Sequence, residues 1–202
     1  MEFISKNEYL SFMEQYNNAV LISKYLNSKG WSNNAISALL GNMESESTIN
    51  PGIWQSLNEG NMSGGFGLVQ WTPATNFTNW ADSKGYSWTD GFAQLKWIDE
   101  ETISFGQWIS TPEYAMTFNY FKKATETPEY LASAFLKNFE RAGVEVEEER
   151  QEQARKWFDL LDEMLETDVE IPEIPDSPST PIKTKRKKFN FILFNKRRRN
   201  LL

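Results

Sequence analysis

Apolar positions recur at helical spacing along most of the chain and divide it into short amphipathic segments. Ser11-Phe12-Met13-Glu14 has the spacing of a capping box, a serine followed three residues on by a glutamate. Behind it Tyr16, Ala19, Val20, Ser23 and Leu26 make one helical face, which Gly30 ends. Ser32 is placed to cap a second helix, where Ile36, Leu39, Leu40 and Met43 follow the i, i+3, i+4, i+7 pattern of a buried stripe. Thr72-Pro73 predicts the start of a third helix with Phe77 and Trp80, ended near Gly85. Thr89-Asp90 predicts another, holding Phe92, Leu95, Trp97 and Ile98, and Thr127-Pro128 one with Leu131, Ala134, Phe135 and Phe139 inside. A last helix is expected over roughly Glu147 to Glu166, contributing Trp157, Phe158, Leu161 and Met164 or Leu165. The pattern breaks at Asn50-Pro51-Gly52, and Gly64, Gly65 and Gly67 then punctuate a segment ending in Leu68-Val69-Gln70, read as a short strand or hairpin. The expected fold class is predominantly α (α+β), a helical domain with a small β-hairpin region near residues 58–71, and no internal repeat is visible.

Composition narrows the chemistry. Eight Trp and fourteen Phe within a 40% hydrophobic chain suffice for a substantial core. The chain has no Cys, hence no disulfide framework and no zinc–thiolate site, and no His. The missing His excludes Ser-His-Asp and Cys-His triads and His-liganded zinc hydrolases, so hydrolytic chemistry must rest mainly on carboxylates; no metal or cofactor is expected.

The net charge of −7 hides a partition. Residues 183–202 carry nine Lys or Arg and no acid, whereas the other 182 residues hold 12 basic and 28 acidic residues, a net −16. An acidic body repels a phosphate backbone, so no nucleic acid is expected for the main domain. The N-terminus lacks the apolar run of a signal peptide, and no run of 18 apolar residues is present. We divide the chain into a domain over 8–166, a Pro-rich linker over 167–182 and a basic, aromatic tail over 183–202. In the tail, basic clusters flank Phe189-Asn190-Phe191-Ile192-Leu193-Phe194, a composition suited to an anionic wall polymer, a membrane surface or a virion protein. A partner-docking segment, a nucleic-acid contact and a disordered solubilising tail are the competing readings.

Candidate chemistry gathers at the end of the second helix, Asn42-Met43-Glu44-Ser45-Glu46-Ser47-Thr48. At 100° per residue Glu46 lies only about 20° round from Leu39, at the edge of the apolar stripe, while Glu44 falls about 80° round from Ile36 on the other flank. An acid that protonates a leaving oxygen near neutral pH needs partial burial, and Glu46 has the better position for it. Glu44 is expected to be solvated. A carboxylate at the end of a buried helix, facing a short glycine-rich segment, suits the cutting of a glycosidic bond; an ordinary helix end beside a tight turn is the plain alternative.

Gly41-Asn42-Met43-Glu44-Ser45-Glu46-Ser47-Thr48-Ile49-Asn50-Pro51-Gly52, followed by Gly65-Phe66-Gly67-Leu68-Val69-Gln70-Trp71-Thr72-Pro73, resembles the phage tail lysozyme family, over roughly residues 10 to 163. More distantly, Glu46-Ser47 and Gly67-Leu68-Val69-Gln70 are similar to motifs of the soluble lytic transglycosylase and goose-type lysozyme group. The resemblance implies a lysozyme-like fold acting on the β-1,4 bond between N-acetylmuramic acid and N-acetylglucosamine in peptidoglycan, with Glu46 as catalytic acid. It implies a sugar groove with Gly67, Gln70, Trp71 and Glu140 at the substrate, where a structural Glu140–Arg141 pair is the equal alternative. Glu59, in the loop before the β region, is the expected second carboxylate. Without a second carboxylate in the cleft, a lytic transglycosylase using the substrate's own hydroxyl is expected. A wall-binding or structural virion component without activity is the non-enzyme alternative, and delivery in a virion or release at host lysis are both compatible.

Overall fold

A computed structural model of the chain describes residues 1–141 and 147–174. Among them run seven α-helices: α1 Phe12–Ser28, α2 Asn33–Ser47, α3 Thr75–Lys84, α4 Gly91–Lys96, α5 Phe118–Phe121, α6 Pro128–Phe135 and α7 Glu147–Glu166. Wider π-helical turns extend α4 over Trp97–Glu101 and α6 over Leu136–Glu140.

Capping chemistry sets most of the starts. Glu14 accepts hydrogen bonds from the Ser11 N–H and hydroxyl at α1, and Ser32 accepts the Ala35 N–H at α2. Asp90 accepts from Phe92 and Ala93 at α4, and Thr127 caps α6 with Pro128 in its first turn. Thr72-Pro73 differs from expectation. Its peptide bond is cis, and α3 starts two residues later with Ala74 at the cap position.

Helix α2 is the axis of the core. Every residue from Ala35 to Met43 is buried, and α2 packs most extensively on α7, with α6 against both. The inner face of α7 is Arg150, Ala154, Trp157, Leu161 and Met164, one stripe at helical spacing. The two helices cross at Gly41, where an added Cβ would stand 2.7 Å from the Ala154 nitrogen and 2.8 Å from the Arg150 carbonyl oxygen. Only glycine allows that approach.

The hairpin expected near residues 58–71 does not form. The described residues hold two isolated antiparallel bridges, Trp54 with Phe66 and Phe66 with Trp71, and no strand. Phe66 and Trp71 exchange both backbone hydrogen bonds around a turn in which the Gln70 N–H donates to Gly67. Beyond this pair the ladder has nowhere to grow, because Gly64 turns to Ala74, Gly65 pairs with Gln55, and Pro73 has no N–H to offer. The segment is held by side chains instead. Buried Gln94 accepts from the Leu68 N–H (2.8 Å) and donates to the carbonyls of Pro51 (2.7 Å) and Trp88 (2.8 Å).

After α7, Val169, Ile171 and Ile174 pack against the core, and residues 171–174 lie beside Tyr25, Ser28 and Lys29. This part of the proposed linker is therefore applied to the body. The rest of the linker and the basic tail lie outside the described residues. Among the described residues no helix is long and apolar enough to cross a membrane.

Candidate active site

Glu46 sits in the last turn of α2, and the way that helix ends fixes it. Thr48 and Ile49 are both left-handed (φ 54° and 55°), and their N–H groups return to the carbonyls of Glu44 (3.0 Å) and Met43 (3.1 Å). The Ser47 hydroxyl lies 2.9 Å from the carbonyl oxygens of both Met43 and Leu68, tying the helix end to the glycine-rich segment. Left-handed φ is unfavourable for a β-branched residue such as Ile49. The other non-glycine positions of this kind among the described residues are Ser56, Leu57, Gln70 and Arg141. Three of them, Ser56, Gln70 and Arg141, line the cavities beside Glu46, and strained backbone clusters where a site must be held in shape.

Two cavities meet at Glu46. The first, about 250 Å³, is lined by Glu46, Gln70, Trp71, Gln107, Glu140 and Arg141 among others. The second, about 290 Å³, lies between Tyr9, Glu46, Trp54, Ser56, Gln70 and Thr72. Glu46, Gln70 and Thr72 border both, so Glu46 stands at the middle of one polar groove with a lobe on either side.

Arg150 organises the charges. Its Nη2 is 2.6 Å from Glu46 Oε1 and its Nη1 is 3.0 Å from Glu140 Oε2. Nη1 also donates to the Asn42 carbonyl oxygen (3.2 Å) and side-chain oxygen (3.3 Å). The side chains of Arg150 and Glu140 are 5% and 6% exposed, and that of Glu46 is 21% exposed, so the two buried groups sit behind the accessible one. Burial, and next the negative charge of Glu46, push the Glu140 carboxyl well above the usual carboxylate range, against the lowering pull of Arg150.

The site residues expected from sequence divide as follows. Glu46, Gln70, Trp71 and Glu140 come together around the first cavity. Trp71 reaches it from the core, 2% exposed and stacked on Phe77 with centroids 4.7 Å apart. Gly67 borders neither cavity; at φ 79° its Cα faces Gln94, whose Oε1 would stand 2.7 Å from an added Cβ. Glu59 is exposed and borders neither cavity. Glu44 is not solvated as expected. Lys156 Nζ reaches both of its oxygens at 2.6 Å and Trp157 Nε1 donates to it at 2.7 Å, which bolts α2 to α7. The Glu140–Arg141 pair does not form either, since Arg141 donates to the Gln107 carbonyl at 2.9 Å.

Sequence reasoning missed Arg150, Gln107 and Tyr9. Arg150 had a signal: counting back from Leu161, Trp157 and Ala154 at helical spacing puts an arginine on the buried stripe, a position arginine occupies only with partners. Gln107 and Tyr9 are in irregular chain with no periodicity to place them.

A family model described as phage tail lysozyme matches residues 17–161. Morphogenesis protein 1 of Bacillus phage B103 is 47% identical over 173 residues, which are 86% of this chain and 47% of that protein. The chain thus spans about half the length of that curated relative.

Proposed function

The chain belongs to the phage tail lysozyme family, and from that premise we propose that it cuts peptidoglycan at the β-1,4 bond between N-acetylmuramic acid and N-acetylglucosamine, with Glu46 as general acid. The observation that carries this reading is the position of Glu46 at the junction of two cavities of similar size. A glycan strand laid along the groove would put one sugar in each lobe and the bridging oxygen over the Glu46 carboxyl. Glu46 would protonate that oxygen as the C1–O bond breaks and positive charge develops on the ring, and would then take a proton from the water that attacks C1. Arg150, 2.6 Å away, stabilises the Glu46 carboxylate left between the two steps. Tyr9, 64% exposed at the rim of the second cavity, offers an aromatic face to a sugar ring. Gln70 and Trp71 form a wall of the groove, with Gly67 supporting it from behind through Gln94.

A lytic transglycosylase with the same Glu46 is the second reading. It is favoured by one observation: the other carboxylate of the first cavity, Glu140, shares Arg150 with Glu46 instead of standing across the groove. Inverting hydrolysis needs carboxyls about 6.5–9.5 Å apart on opposite sides of the sugar, with a water between. Mass spectrometry of digested peptidoglycan separates the two. Reducing ends are the expected product, and anhydro-muramic ends would overturn hydrolysis in favour of the transglycosylase.

We assign residues 8–166 to the catalytic unit and 167–182 to a linker. Residues 183–202 would be a basic arm for an anionic wall polymer, a membrane surface or a virion protein. The family and the relative's name support a virion component that acts on the host wall, carried for entry or freed at lysis.

A further inference from the structure

We propose that Glu46 and Glu140 work as a pair sharing a single proton, held on one arginine, so that Glu140 is the proton store that recharges Glu46. The inference rests on the reading of Glu46 as the acid. Its starting observation is a mismatch of charge: two carboxylates meet one guanidinium, at 2.6 and 3.0 Å, in a place where Arg150 and Glu140 are almost wholly removed from water. One guanidinium balances one carboxylate. A second ionised carboxylate in the same buried spot is unfavourable, so the group that keeps a proton is the deeper one.

Hydrogen bonding agrees. The Arg150 N–H groups go to Glu46 and Asn42, and neither Glu140 oxygen receives a well-aligned donor. Yet Glu140 is held beside Glu46, one carboxyl on each terminal nitrogen of the same guanidinium. Two carboxyls gathered on one positive charge are favoured when they share a proton. Among the described residues the charged groups at the pair come from three elements. Glu46 comes from α2, Arg150 from α7, and Glu140 and Arg141 from the turn after α6, with the Arg141 guanidinium turned to the Gln107 carbonyl. The upward push on the Glu140 carboxyl, from burial and then from Glu46, is what such a pair produces.

The cycle balances. At rest Glu140 holds the proton and Glu46 is a carboxylate on Arg150. The proton moves from Glu140 to Glu46, and Arg150 then faces an ionised Glu140. Glu46 gives the proton to the glycosidic oxygen, and the C1–O electron pair leaves with that oxygen as a sugar hydroxyl. Both carboxylates are now ionised while the sugar ring carries positive charge, so the extra negative charge is present when it is useful. Water bonds to C1, its proton passes to Glu46, and from there back to Glu140.

Titration of the full chain labelled with carboxyl-13C glutamate, followed by NMR, tests this without reference to activity. One glutamate signal, identified by its loss in Glu140→Gln and its shift in Glu140→Asp, is expected to titrate well above the others. In Glu46→Gln the same signal should titrate lower, because a neighbouring negative charge is gone. A Glu140 signal within the ordinary carboxylate range, or one indifferent to Glu46→Gln, would overturn the pairing. On purified peptidoglycan, Glu140→Gln should lower kcat about 10- to 100-fold with KM unchanged and should change the shape of the pH–rate profile. A rate loss with a wild-type profile would make Glu140 a positioning residue only and sink the shared proton. If Glu46→Gln still lyses walls, the assignment of the acid fails, and the titration still judges the pair.

Discussion

Glu44 and Glu46 stand two positions apart on one helix and meet different partners on α7. Glu44 faces Lys156 and Trp157 on the far side of the crossing, whereas Glu46 faces Arg150 at the groove. Glu44 is a bolt: Glu44→Ala leaves a tryptophan N–H and an ammonium without their acceptor. It should cost about 2 kcal/mol in urea unfolding with activity per folded molecule retained. Glu140 is the opposite case, a carboxyl whose protonated form the fold prefers. Its folded pKa is raised above the ordinary 4.5, so its contribution to stability is complete below about pH 4.5 and is lost as pH rises through the raised value. Glu140→Gln should therefore match the wild-type melting temperature least favourably in acid and gain on it steadily as pH rises above about 4.5, measured by circular dichroism at fixed ionic strength. A gap between the two that is constant with pH would contradict the raised carboxyl. Residue types made Glu46 legible in the sequence, since its place beside the apolar stripe needs only helix geometry. The 104-residue separation of Glu46 and Arg150 is a tertiary fact that no local pattern encodes.

At the scale of elements, α2, α4 and α6 started at their expected caps, because a serine, threonine or aspartate that accepts first-turn N–H groups is a local device; Thr72-Pro73 did not start α3, which has Ala74 at its cap position. Two further features escaped. The π-helical turn that carries Glu140 continues α6 without a break, so the apolar periodicity of the segment does not distinguish it from ordinary helix. The glycine-rich segment resembles a hairpin in composition, yet its turn closes after a single bridged pair and its neighbours are bonded elsewhere. What holds it is Gln94, from outside the segment. Gln94→Ala strands the Leu68 N–H and the carbonyls of Pro51 and Trp88, and should destabilise by about 3 kcal/mol while accelerating amide exchange across residues 51–71. Gly41→Ala drives a methyl group into the α7 backbone and should cost about 2 kcal/mol. It should also reduce activity through displacement of Arg150, whereas a merely unstable protein would recover activity on cooling.

At the scale of the molecule, the described body supplies a groove bordered by Glu46, and our proposal gives the basic residues 183–202 the task of holding it on a wall. Deleting residues 175–202 leaves every described residue of the core in the chain, and the melting temperature is expected to stay the same. Retention on an anionic polymer should fall, and the lost portion should be the salt-sensitive one. Unaltered retention would remove the basic arm from the account. In the proposed reaction one carboxyl, Glu46, delivers the proton that breaks the glycan. The direct measurement is release of soluble fragments from purified peptidoglycan by Glu46→Gln beside the wild type, with folding checked by circular dichroism. The wild type should release fragments and the folded variant should be slower by about 100- to 10,000-fold; release at the wild-type rate by a folded Glu46→Gln would contradict the account.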